Sequence, residues 1–102
     1  MFGLSEKTTD SINEIFSGYP TIEKVLLYGS RARGDYRNGS DIDLTIVGDV
    51  SVEDRMRISG LIDDLPIPYM CDLSLHRCIR NENLLEHIER VGQVFYEGNE
   101  SK

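Results

Sequence analysis

Along the chain, stretches whose apolar residues recur every three or four positions alternate with stretches where they recur every second position or run together. Ile12, Ile15, Phe16 and Tyr19 share one helical face behind Ser5, a residue suited to cap a helix start, so a helix is predicted over residues 5–18, closed by Gly18 and Pro20. The apolar run Val25-Leu26-Leu27 predicts a buried strand over 21–28. A short helix over 31–35 follows, then a polar loop in which Asn38-Gly39 is a strong turn signal. Residues 41–47 alternate as a half-buried strand that stops at Gly48-Asp49. Ser51 opens a helix to about residue 64, with Val52, Met56, Ile58, Leu61, Ile62 and Leu65 at its apolar positions, and Pro66 and Pro68 end it.

From 69 to 75 the alternation returns, with Tyr69, Cys71, Leu73 and Leu75 on one face and Met70, Asp72 and Ser74 on the other. A last helix starts at about Asn81 or Asn83 and runs to Val91, turning Leu84, Leu85, Ile88 and Val91 inward. Val94-Phe95-Tyr96 is then a short extended piece, and the polar tail 97–102 is expected to be loose.

A length of 102 residues, 39% hydrophobic and 28% charged, fits one small globular domain spanning 1–102. Formal net charge is −7 and no Lys/Arg block or aromatic-basic stripe interrupts it, so free DNA or RNA is not the expected partner. No apolar run approaches the length of a membrane span, and Met1-Phe2-Gly3-Leu4-Ser5 lacks the basic start of a signal peptide, which makes the cytoplasm the expected location. Cys71 and Cys78 have neither zinc-type nor CxxC spacing and read as reduced thiols without chemistry.

The candidate chemistry gathers in Tyr28-Gly29-Ser30-Arg31-Ala32-Arg33-Gly34 and Ser40-Asp41-Ile42-Asp43-Leu44. Gly29 and Ser30 sit where a buried strand gives way to a helix start, whose unpaired N–H groups and positive dipole end favour a phosphate. Glycine permits close approach of the backbone, and the Ser30 hydroxyl adds a donor. Asp41 and Asp43, two apart on a strand, face the same way at roughly 6–7 Å. At an effective dielectric near 20 two such charges repel by about 2–3 kcal/mol, a penalty that a divalent cation removes. Asp72 lies in an apolar strand, where an acid without a partner is costly. If that strand lies beside the second, Asp72 joins Asp41 and Asp43 in a three-carboxylate cluster able to hold two ions.

Gly29-Ser30, ten intervening residues, Asp41-Ile42-Asp43 and a later strand Asp72 resemble the nucleotidyltransferase superfamily that includes DNA polymerase beta. GSRARG and SDIDL are similar to the minimal nucleotidyltransferase domains that accompany HEPN-domain proteins, where the two act as antitoxin and toxin. The resemblance implies an α/β (α+β) fold, a small mixed β-sheet flanked by helices, with a nucleoside triphosphate donor and two Mg²⁺ ions, Mn²⁺ being an alternative. It further implies transfer of AMP from ATP to a tyrosine of a HEPN RNase toxin, within a hetero-oligomer. On that basis Gly29 and Ser30 are phosphate-binding, and Asp41, Asp43 and Asp72 are metal ligands and catalytic. Arg31 and Arg33 match the same motif, and each either holds a triphosphate oxygen or pairs with Asp35 or another surface acid.

The remaining polar residues read blandly. His76 shares a face with Asp72 and Ser74 only if the strand continues, His87 in its charged helix has no assigned role, and Tyr28 reads as core. Two other functions compete: an antitoxin that acts by binding alone, and a small-molecule nucleotidyltransferase that needs a second subunit for its acceptor pocket.

Overall fold

The computed structural model describes residues 2–37 and 39–98. Within them the elements are α1 (Glu6–Phe16), β1 (Ile22–Tyr28), α2 (Ser30–Arg33), β2 (Ile42–Gly48), α3 (Val52–Asp63), β3 (Cys71–Leu75), α4 (Glu82–Val91) and β4 (Gln93–Glu97), with a 3-10 turn at His76–Cys78 after β3. The long helices start where a side-chain oxygen takes an otherwise unpaired amide. Ser5 Oγ accepts from Thr8 N–H at 3.1 Å, Ser51 Oγ from Asp54 N–H at 3.0 Å, and Asn81 Oδ1 from Leu84 N–H at 3.2 Å. Asn81, not Asn83, is therefore the last cap.

The sheet has four strands in the order β3-β2-β1-β4. β1 runs antiparallel to both β2 and β4, while β2 and β3 are parallel, joined by the crossover through α3. One face carries Val25, Leu27, Ile42, Leu44, Ile46, Leu73 and Leu75, which merge with Ile12 and Phe16 of α1 and Ile58 and Ile62 of α3 into one buried cluster. Helix α4 lies on the opposite face, its buried Ile88 near Leu26 and its His87 ring edge-on to Tyr28.

Several boundaries differ from the sequence expectation. The short helix begins at Ser30 and stops at Arg33, because Gly34 turns left-handed at φ +92° and returns its N–H to the Ser30 carbonyl at 2.9 Å. β3 starts at Cys71, although the Met70 carbonyl already accepts the Ile42 N–H. β4 extends to Glu97, and Gly98 N–H reaches the Glu23 carbonyl at 2.8 Å, so pairing continues into the segment expected to be loose. The rest of that tail, 99–102, and Asn38 of the expected turn lie outside the described residues.

In α3 the inward set is smaller than the spacing suggests. Ile58 and Ile62 are buried, whereas Val52, Met56 and Leu61 are 51%, 59% and 46% exposed. The inward stripe is narrow because Arg55 shares it, reaching past the helix to donate to the Leu73 carbonyl at 3.2 Å. No described helix is long and apolar enough to cross a membrane.

Candidate active site

The register of three strands builds the site. Tyr28 of β1 is the antiparallel partner of Asp43, and Asp43 is the parallel partner of Asp72. Neighbouring strands are roughly 4.8 Å apart, so the three side chains form a row on the α4 face at one end of the sheet. Asp41 lies two residues before Asp43, just ahead of β2. Behind this row come Leu26, Thr45 and Ser74. Thr45 is fully buried, and Ser74 Oγ donates to its Oγ1 at 2.9 Å, a side-chain link between β2 and β3 under the carboxylates.

Gly29 connects β1 to α2 at φ +81°, a conformation that favours glycine. A β-carbon there would collide with Asp43 Oδ2. The turn backbone is thus packed directly on the Asp43 carboxylate, with Ser30 next in the chain. The Gly29 N–H donates to His87 Nε2 of α4 at 3.2 Å.

Charge crowding is concentrated on Asp43. Burial pushes its carboxyl above the ordinary carboxylate range, Asp72 and then Asp41 add to the rise, and His87 opposes it. Asp72 itself is exposed, because β3 is an edge strand. The penalty expected for a buried Asp72 falls instead on Asp43. Burial likewise raises the Tyr28 hydroxyl; a hydrogen bond with Ser74 pulls the other way, while Asp72 and Asp43 push further up. Burial, reinforced by Asp63, Asp72 and Asp43, pushes the Cys71 thiol up to about 12.

Among the described residues, no three His, Cys, Asp or Glu side chains converge on a ready metal shell. The donor chemistry nevertheless fits a hard cation, since Asp41, Asp43 and Asp72 supply only carboxylate oxygens and the coupling of the other two to Asp43 is the repulsion a divalent ion relieves.

The two arginines of the motif part company. Arg31 is 3% exposed. Its Nε and Nη2 donate to the Ser40 carbonyl at 3.2 and 2.8 Å, and its Nη1 donates to the Phe2 carbonyl at 2.9 Å. The guanidinium lies 5.0 Å from the Tyr36 ring centroid and 4.8 Å from that of Tyr69. It pins the residue before Asp41 from inside the fold. Arg33, in contrast, is a surface side chain whose Nε meets Asp35 Oδ1 at 3.3 Å.

His87 was invisible to motif reading, though Leu84, His87 and Val91 recur at helical spacing and place it on the flank of the apolar stripe. His76 does not join Asp72 and Ser74, because β3 ends at Leu75. It lines a groove of about 580 Å³ beside Leu26, Val47, Leu85 and Ile88.

The sequence matches the family described as Polymerase beta, Nucleotidyltransferase, over residues 10–101. It is 51% identical over 43 residues to a Methanocaldococcus jannaschii homologue named protein adenylyltransferase, a match spanning 41% of this chain and 43% of that one. The chain thus aligns with less than half of that relative's length. Among solved structures, it is similar to a toxin–antitoxin crystallised with AMP-PNP, at TM-score 0.70 and 18% identity, covering 95% of this chain and 76% of the other. It is also similar to a chain in the complex of tri-AMPylated Shewanella oneidensis HEPN toxin with MNT antitoxin, at TM-score 0.67 and 14% identity, covering 92% and 73%. At these identities the two likenesses show a shared fold.

Proposed function

This chain belongs to the polymerase beta nucleotidyltransferase family, and we propose that it transfers AMP from ATP to a tyrosine hydroxyl of a partner HEPN-family RNase toxin, acting as the antitoxin of the pair. We read the 102 residues as one minimal nucleotidyltransferase unit, working in the cytoplasm within a hetero-oligomer. The observation that carries the reading is the contact of Gly29 with the Asp43 carboxylate, while Asp43 itself stands in register with Asp72. A phosphate-binding turn and a carboxylate cluster that abut in this way suit an α-phosphate held between them. The name of the M. jannaschii homologue and the toxin–antitoxin context of the fold relatives support the same direction.

In this reading Gly29 and Ser30 receive the triphosphate, with Gly29 allowing close approach and the Ser30 hydroxyl donating to a phosphate oxygen. Arg33 is the motif cation free to swing towards the phosphates, exchanging its exposed contact with Asp35. Arg31 keeps Ser40, and hence Asp41, in position. Asp41, Asp43 and Asp72 would hold Mg²⁺, which when bound supplies charge neutralisation for in-line displacement at phosphorus. The acceptor tyrosine oxygen forms a bond to the α-phosphorus as the bond to the bridging oxygen breaks, and pyrophosphate leaves with that electron pair. Asp72, the exposed member of the row, takes the tyrosine proton.

The test is label transfer to the HEPN partner, comparing ATP labelled at the α-phosphate with ATP labelled at the γ-phosphate, in Mg²⁺ and with an Asp43→Asn control. Label from the α position alone, lost in the control, is the expected result. If Asp41→Asn with Asp43→Asn still neutralises the toxin in a stable complex, binding alone explains the antitoxin effect and the catalytic reading is wrong.

A further inference from the structure

We propose that His87 is a positioning residue of this site: through Nε2 it holds the Gly29 N–H and thereby sets the pose of the Gly29-Ser30 turn that receives the triphosphate. The inference rests on the nucleotide-binding part of the proposed function.

The contact joins parts of the chain 58 residues apart. Gly29 sits at a positive φ between two elements, and the one-turn helix after it is too short to be rigid by itself. Its orientation therefore depends on what its polar groups touch. One side is the Asp43 carboxylate, against which the Gly29 backbone is already close-packed. The other is His87, which accepts the amide at 3.2 Å. In this contact Nε2 is the accepting atom and the glycine amide the donor.

His87 is itself well placed to hold a fixed position. Its ring meets the Tyr28 ring edge-on at 79°, with centroids 6.2 Å apart. The next residue, Ile88, is buried, and α4 is capped at its start by Asn81. At its end Gly92 N–H donates to the Ile88 carbonyl at 2.7 Å, and a β-carbon at Gly92 would collide with that same carbonyl oxygen. The helix thus closes with a tight last turn just past the histidine. The Gly29 amide is engaged by the protein itself, and its contact fixes the turn from which Ser30 follows.

Two substitutions separate the acceptor atom from the ring. His87→Phe keeps an aromatic ring against Tyr28 but removes the acceptor, whereas His87→Gln puts an amide oxygen where Nε2 was. Affinity for AMP-PNP with Mg²⁺, measured by titration calorimetry on the full chain, should fall about tenfold in His87→Phe, the scale of one lost hydrogen bond. It should return to within about twofold of wild type in His87→Gln. An N–N coupling across the hydrogen bond between Gly29 and His87 Nε2 in ¹⁵N-labelled wild type should report the contact directly, whatever the fate of the variants. Phe binding as tightly as wild type, Gln as weak as Phe, or no coupling to Gly29 would overturn the inference. If the three proteins show this ladder with AMP-PNP while the wild type transfers no AMP to the HEPN partner, the transfer reading is removed and the role of His87 stands.

Discussion

Asp43 and Asp72 are register partners on the parallel strands β2 and β3, so two carboxylates stand side by side on one face of the sheet. Only Asp43 bears the full consequence, because β3 is an edge strand and leaves Asp72 in solvent while Asp43 is half-buried and also meets the Gly29 turn. Carboxylates crowded in this way are electrostatically unfavourable to the fold unless a cation offsets their charge.

Asp43→Asn should accordingly stabilise the metal-free protein while abolishing function. The Asp43 carboxyl is raised by burial and by Asp72 and Asp41. A carboxyl raised in the folded state contributes stability that is full below its unfolded pKa and lost as pH rises through the folded value. At neutral pH its ionisation therefore works against folding. Thermal melts in chelator at pH 7.5 should show the variant higher by a few degrees, about 2–5 °C. The gap should close on acidification through the carboxylate range. AMP transfer should fall by at least about a hundredfold.

Gly29→Ala combines two faults, an L residue at φ +81° and a methyl driven into Asp43 Oδ2. The strain should lower stability by about 1–3 kcal/mol in urea unfolding. Transfer should drop with it by more than the stability loss explains, visible as lost turnover at temperatures where the variant is fully folded.

Arg31 and Arg33 should separate cleanly. Arg31→Ala strands the carbonyls of Ser40 and Phe2 in a buried region and removes the cation between Tyr36 and Tyr69, so we expect a loss of about 2–4 kcal/mol. Arg33→Ala removes an exposed pair with Asp35 and should change stability by less than about 0.5 kcal/mol. It should raise the KM for ATP several-fold. Equilibrium unfolding and steady-state kinetics on the same two variants check both halves.

The cysteines offer a probe of burial next to the site. With its thiol pushed up to about 12, Cys71 holds about one thiolate in ten thousand at pH 8. Cys78 is exposed. Iodoacetamide at pH 8 should label Cys78 and leave Cys71 untouched until denaturant is added, as read by peptide mass mapping. Rapid labelling of Cys71 in the native protein would contradict the burial of the β3 start.

Local pattern determined much of this protein by itself. Alternation in β2 and β3 assigns each residue to a face, Ser5 and Ser51 announce their helices, and the interval from Gly29-Ser30 to Asp41 and Asp43 is legible because strand and turn geometry are short-range properties of the backbone. What lay beyond reach depended on which elements became neighbours. The same apolar spacing that marks α3 as a helix does not say that Val52, Met56 and Leu61 stay exposed while Arg55 takes a place on the inward stripe beside Ile58 and Ile62. The role of Arg31 turned inward only because Ser40, Phe2, Tyr36 and Tyr69, distant along the chain, surround it. His87 reached Gly29 only because α4 crosses the sheet above Tyr28. Local order along the chain shows the succession of elements and the chemical groups they carry, though not every boundary. The packed fold settles which carboxylate is crowded, which arginine is buried and which histidine reaches the Gly29 amide, because burial and charge coupling are properties of neighbours in space and have no period along a chain.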